Sequence, residues 1–527
     1  MPADPTIYIP VSLLAGALFI TLAGSYRKQL AYPLMILFLG ISTLAAYAGL
    51  AKVLRTGTLR YELGGWAPPV GIEYLLDPLS GFMAVLITSV AVLVLIYSKQ
   101  SAALELPDRE ASFYGVTALL LAGLLGIVVT GDLFNLYVFL EIASLAAYAL
   151  LSAGERRAPL AAFRYLLLGT ISASFYLIGI GLLYAKTGTL NMIDLAERMP
   201  EVGHFHSVRM AAVFLIAGIG IKMALFPLHV WLPDAYTYAP SAVTGLIAPI
   251  MTKVGAYALI RLLLFVLGPD LIRDELSLTS WIAWASAAGI LIGSILAIAQ
   301  RDLKRMLAYS SVSQVAYIGL GIGLGNALGL IGALLHILNH ALMKACLFLV
   351  AGIIRHRRGP IAIPDFTGLG RRMPLTMAAF TVAALSMVGL PPTAGFFSKW
   401  YLLLGAVEAH AWVFAGVILV SSLLNAVYFF RVLEQAYLRA GEPAAAPEPE
   451  FVGGSVDDPE PQEPAPHGAS FQDPGAPNAE SERPRWHEGP LGMLIPTLIL
   501  AAAILAAGLA NAVIVQSILS RALPAGL

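Results

Sequence analysis

Residues 218–234 read GIGIKMALFPLHVWLPD, with Lys222 inside helix-length apolar sequence and Pro227 and Pro233 close behind it. Proline removes a helix hydrogen bond and clashes with the preceding turn, so no straight helix runs through this stretch. An ionisable group at bilayer depth costs at least about 2.5–3.5 kcal/mol on insertion scales, and by default it marks an ion or proton path. Unwound backbone at that depth survives where it is buried in protein or lines a hydrated cavity. A buried lysine beside a helix break therefore predicts a polytopic membrane protein whose interior handles charge.

The whole composition agrees. Of 527 residues 58% are hydrophobic and only 12% charged, against about 25% charged in soluble domains. Mean hydropathy is +0.79, and apolar runs near twenty residues recur along the chain. Thirty-two basic residues balance thirty-two acidic ones, which leaves no basic footprint for nucleic acid. Cys346 is the single cysteine. It can build neither an intrachain disulfide nor an iron–sulfur or thiolate zinc site, so the expectation is no cofactor and no metal. Met1–Thr6 lacks the basic region of a cleaved signal peptide, and the first apolar run is read as a retained helix.

Counting apolar stretches between charged and Pro/Gly punctuation gives fourteen spans: 7–25, 31–51, 78–98, 112–130, 132–153, 162–185, 209–228, 240–266, 279–299, 306–326, 328–354, 374–405, 411–437 and 490–518. With the N-terminus outside, eighteen lysines and arginines fall on the inner connections and nine on the outer ones. That bias predicts both termini outside the cell membrane. Residues 54–77 alternate around Gly64-Gly65 and Pro68-Pro69 and predict an outer hairpin closing an N-terminal unit, 1–111. Residues 441–489 are acidic and rich in proline, and are read as a flexible cytoplasmic linker before a final helix in 490–527. A second proline-broken segment, GLPPTAGFFSK at 389–399, falls in span twelve, five after the first in span seven. Broken helices in corresponding positions mark internally repeated transporters. Five helices per copy makes the copies inverted, which predicts repeats at 112–266 and 279–440.

The other charged groups extend the pattern. Glu141 sits about halfway along its span, and the competing reading is a structural ion pair that fixes helix packing. Lys222 and Lys399 each lie beside a break, where snorkelling to the interface competes with facing a hydrated kink. Lys253 is thirteen residues into span eight, too deep to snorkel. His336, His340 and Lys344 recur at four-residue intervals and so share one helix face. Histidine titrates nearest neutral pH, which suits proton relay through water. A zinc site is the rival, but Ile337 follows His336 where an HExxH motif needs glutamate. Asp234 and His229, near the inner end of the first break, are candidate proton-intake residues or ordinary loop polar groups. Ser310, Ser311, Ser313 and Gln314 in RDLKRMLAYSSVSQVAYIGLG (301–321) either hold water or pack helices.

At these residues the chain resembles the antiporter-like membrane subunits shared by NADH:quinone oxidoreductase, membrane-bound hydrogenases and Mrp-type sodium/proton antiporters. The likeness spans about residues 70–440. It rests on Glu141 in span five, KMALFPLHVWLPDAYTYAPSAVTGLIAPIMTK (222–253), RDLKRMLAYSSVSQVAYIGLG, the HxxxHAxxKAxLFLxAG pattern from His336, and GLPPTAGFFSKW (389–400). The resemblance implies an all-α polytopic membrane protein of about fourteen transmembrane helices, with two inverted five-helix repeats and broken helices seven and twelve. It also implies a mid-membrane axis running from Glu141 through Lys222, Lys253, His336, His340 and Lys344 to Lys399. Lysine at 399 and glutamine at 314 are unlike one type of respiratory subunit. EIASLAAYALLSAGE (141–155) and residues 167–198 are most similar to the D-type subunit of Mrp antiporters, with the similarly sized quinone-complex subunit as alternative.

The resulting expectation is a non-enzymatic, proton-translocating subunit of a multisubunit sodium/proton antiporter. Its partners would be other membrane subunits, protons, Na+ and lipid. The alternative is the proton-pumping subunit of a quinone-reducing or hydrogenase-type complex. A stand-alone solute transporter would need a substrate cavity instead of charges strung over several helices. An inert scaffold would need the same groups only as packing pairs.

Overall fold

The computed structural model describes residues 4–154, 156–359, 362–439 and 488–524. The expected linker, 441–489, lies outside them except for Glu488 and Gly489. The chain is all but entirely helical. It opens with α1 (Pro5–Tyr26), α2 (Ala31–Thr56) and α3 (Pro78–Glu105). Between the last two, β1 (Leu59–Glu62) pairs antiparallel with β2 (Glu73–Leu76), placing Tyr61 opposite Tyr74. This is the hairpin anticipated around Gly64-Gly65. Next come α4 (Glu110–Val129), α5 (Leu133–Ser152), α6 (Ala158–Thr187), the short α7 (Met192–Val202), α8 (His206–Met223), α9 (Leu232–Tyr238) and α10 (Ser241–Ile260). The second half holds α11 (Leu278–Ile298), α12 (Leu303–Gly323), α13 (Ala327–Arg358), α14 (Leu369–Arg372), α15 (Pro374–Val388), α16 (Ala394–Glu408) and α17 (Trp412–Leu433). The chain closes on α18 (Leu491–Leu509) and α19 (Asn511–Ser517).

Among the described residues twelve helices are long and apolar enough to cross a membrane. Two further expected spans fall outside that set: α12, diluted by its Ser/Gln-rich stretch, and the α15–α16 pair, whose halves are each too short alone. Local chemistry sets the starts and stops. Asp77, Asp132, Asp302 and Asn326 each accept a backbone N–H from the first turn of the helix they precede, satisfying donors that would otherwise be orphaned. The α8 helix stops at Ala224, held at φ 62°, and α15 stops at Gly389, at φ 93°. Left-handed backbone is how helices commonly terminate. Both interruptions read from the prolines are present.

Burial sorts the bundle into layers. The apolar windows of α10 and α13 are 94% and 89% buried, whereas those of α2, α6 and α17 are only 33–39% buried. The former pair is thus a central column, and the latter carry outward stripes such as Leu44, Phe163 and Leu423. One expectation needs correction. Arg261 lies inside the expected span 240–266 but is also tallied among the nine outer charges; α10 continues as wider turns over Arg261–Leu267 and Arg261 is only 4% exposed, so it belongs to the span and not to a connection. Its guanidinium meets Asp77 at 2.5 Å and lies over the Phe265 ring at 4.5 Å. Pairing and cation–π contact make a buried arginine tolerable there.

Candidate functional site

The first break is built around Lys222. Its ammonium lies in the last turn of α8 and donates to Ser144 Oγ (2.7 Å) and Tyr148 Oη (3.2 Å) of α5. Glu141, Ser144 and Tyr148 are spaced to share a face of α5. Glu141 acts on Lys222 electrostatically without a direct ion pair, and its Oε1 has no hydrogen-bond partner. The α8 carbonyls freed by the break are not abandoned: the Trp231 indole N–H donates to Ile221 O at 2.9 Å. A cavity of about 30 Å³ lies against Lys222, Ser144 and Tyr165 and reaches Met251 and Val254 of α10. That is room for one or two waters.

The centre of the axis is buried and polar. Lys253, His336, His340 and Lys344 are all fully buried. Lys253 donates to Ala248 O at 2.7 Å. The His336 and His340 rings stack at 5.8 Å, and His336 Nδ1 meets Ser398 Oγ at 2.9 Å. Lys344 donates to Ser310 Oγ (2.6 Å) and Leu307 O (2.7 Å). So the serine run of α12 supplies a lysine partner. Several neighbouring polar atoms have none: both nitrogens of His340, both amide atoms of Gln314, His336 Nε2, Asn339 Oδ1 and Thr252 Oγ1. An unmet buried polar group costs about 1–3 kcal/mol, and native interiors carry few of them. Such a concentration sets the centre of the bundle apart from ordinary apolar packing.

At the second break, Lys399 of α16 donates to Met387 O (2.9 Å) and Val388 O (3.0 Å) and to Ser422 Oγ (3.2 Å). The two carbonyls belong to the last turn of α15, where the break leaves acceptors unpaired and the helix dipole is negative. Six of the expected residues, Lys222, Lys253, His336, His340, Lys344 and Lys399, are buried inside the bundle. Glu141, on α5, is only partly buried. The proposed intake residues lie apart. Asp234 is bound by Arg164 (2.9 Å) and Arg305 (3.7 Å), while His229 stacks on Phe226 with its Nδ1 unpartnered. Sequence reading passed over Ser144, Tyr148, Ser398 and Ser422. Only Ser144 and Tyr148 carried a signal, their helical spacing from Glu141.

Fold and site together define a polytopic, antiporter-like membrane protein. Residues 130–425 match the family described as "NADH:quinone oxidoreductase/Mrp antiporter, TM", and residues 67–100 match "NADH-Ubiquinone oxidoreductase (complex I), chain 5 N-terminus". The chain belongs to this antiporter-like membrane-subunit family. It is 49% identical to the N subunit of NADH-quinone oxidoreductase from Desulforudis audaxviator, over 98% of this chain and 99% of that one. It is 32% identical to the D subunit of the Na(+)/H(+) antiporter from Alkalihalophilus pseudofirmus, over 73% of this chain and 77% of the relative. A chain in the Mrp complex from Dietzia sp. superposes with a TM-score of 0.83 at 27% identity, covering 98% of this chain and 96% of that one.

Proposed function

We propose that this chain is the proton-translocating membrane subunit of a multisubunit complex, moving protons along Glu141, Lys222, Lys253, His336, His340, Lys344 and Lys399. The observation that carries the reading is the run of fully buried lysines and histidines flanked by buried polar atoms without protein partners. In this scheme Glu141 and Lys222 form a separable charge pair, with Ser144 and Tyr148 holding the ammonium when the carboxylate is away. A proton leaving Lys222 passes by water to Lys253, onward to the histidines and Lys344, and reaches Lys399 at the second break. Proton hopping needs no covalent step and no cofactor.

Exchange against a monovalent cation, Na+ first, is supported by the likeness to antiporter D subunits and to the Mrp chain. The second reading, a redox-driven pump, is favoured by the 49% relative that bears a quinone oxidoreductase subunit name. The two-to-one lysine and arginine bias supports a plasma-membrane orientation with both termini outside. The test uses membrane vesicles carrying the intact complex and a pH-sensitive dye. A dye response to added Na+ without respiratory substrate supports exchange. A response to respiratory substrate alone, insensitive to Na+, supports the redox pump. Normal proton movement in an assembled Lys222→Ala complex would overturn both.

A further inference from the structure

The α18 segment touches the start of α15 and the break that follows α15. At the near end Glu488, just before α18, accepts the backbone N–H of Leu375 (2.5 Å) and of Thr376 (3.2 Å), and the Thr376 hydroxyl (2.6 Å). A carboxylate at a helix N-terminus satisfies orphan donors and meets the positive end of the dipole. The Glu488 carbonyl in turn takes the Arg357 guanidinium from the end of α13 (2.7 Å). The helix then packs on α13, α15 and α16. At its far end Gly508 lies directly on the break: a Cβ there would run into the Pro392 carbonyl and the backbone of Thr393 and Ala394. The spacing is consistent, since nineteen residues of α18 at a rise of 1.5 Å each cover about 28 Å, and the fifteen of α15 about 22 Å.

We propose that α18 is a brace for the second broken span. Glu488 anchors the start of α15 and Gly508 seats the break, so the terminal carbonyls of Met387 and Val388 stay aimed at Lys399. Glu488 and Gly508 are thereby positioning residues: neither touches the proton, and both act through the acceptors of Lys399. The groups facing that ammonium from the other packed elements are His336 of α13, Tyr317 of α12 and Ser422 of α17. This inference rests on the proton-path reading above.

The test follows dye-reported proton movement in vesicles holding the intact complex, energised by Na+ or by respiratory substrate, with rates normalised to co-purified complex. For Gly508→Ala and Glu488→Ala the expected result is a maximal rate lower by about tenfold, with the half-saturating concentration of the energising agent unchanged. A merely structural contact would lower the amount of complex and leave the rate per complex alone. That outcome overturns the brace when Lys399→Ala in the same assay abolishes movement. If Gly508→Ala fails to assemble, the exposed-end variant Glu488→Ala decides by the same split. Wild-type rates in Lys399→Ala would instead overturn the proton path, and the brace with it.

Discussion

Lys222 is the axis lysine held by two hydroxyls, with the Glu141 carboxylate one helical turn from Ser144 on the same face of α5. Removing either charge should therefore disable transfer while sparing the fold. Glu141→Ala and Lys222→Ala are each expected to lower proton movement about a hundredfold or more, with normal recovery of complex on purification. Ser144→Ala, which leaves Tyr148 in place, should give a smaller loss in the same dye assay. The buried Asp77–Arg261 pair is expected to behave in the opposite way. Burial alone would raise the Asp77 carboxyl, but the neighbouring Arg261 guanidinium and the Ser80 hydrogen bonds outweigh it and hold it below the usual carboxylate range. Its contribution to stability is thus present above the unfolded value near 3.9 and fades as pH falls through the lowered one. Asp77→Asn strands Arg261 and should destabilise by about 3–5 kcal/mol, read as a lower thermal midpoint of the purified complex at neutral pH. The axis lysines were legible because a charge inside apolar sequence is conspicuous by itself. Their partners were less so: Ser144 lies 78 residues from Lys222, and only its helical spacing from Glu141 and the serine run of α12 beside Lys344 gave any sign.

Among the elements, the two breaks and the hairpin were readable because proline and glycine act locally. The α7 helix was not, because eleven mixed residues between two spans look like any connection. The continuation of α10 past Ile260 fell within the expected span 240–266, whereas the buried partner of Arg261, 184 residues away, gave no sign. Close helix crossings were hidden for the same reason, since a glycine does not announce which backbone it meets. At the α4–α5 crossing a Cβ on Gly123 would sit 2.6 Å from the Ala143 nitrogen. Small residues of this kind let membrane helices approach. Gly123→Ala is expected to cost about 1–3 kcal/mol through overpacking, measurable as a drop in thermal midpoint with proton movement per surviving complex little changed.

For the molecule as a whole, family membership was within reach of the sequence because its motifs sit on the chemistry-bearing residues. Layering was not, since which helices form the inner column depends on contacts between distant spans. The outward faces of α2, α6 and α17 leave broad apolar area uncovered by this chain, as expected of a subunit surrounded by lipid and neighbours. One feature of the first break offers a window on all of this. The Trp231 ring stacks on Tyr165 at 3.9 Å, and Tyr165 lies 5.7 Å from the Lys222 ammonium. Trp66, Trp281, Trp284, Trp400 and Trp412 are exposed, leaving Trp231 as the deeply enclosed indole among the described residues. The molecule consequently carries its own optical reporter: the component of ultraviolet emission lost in Trp231→Phe should respond to energisation and fall silent in Lys222→Ala.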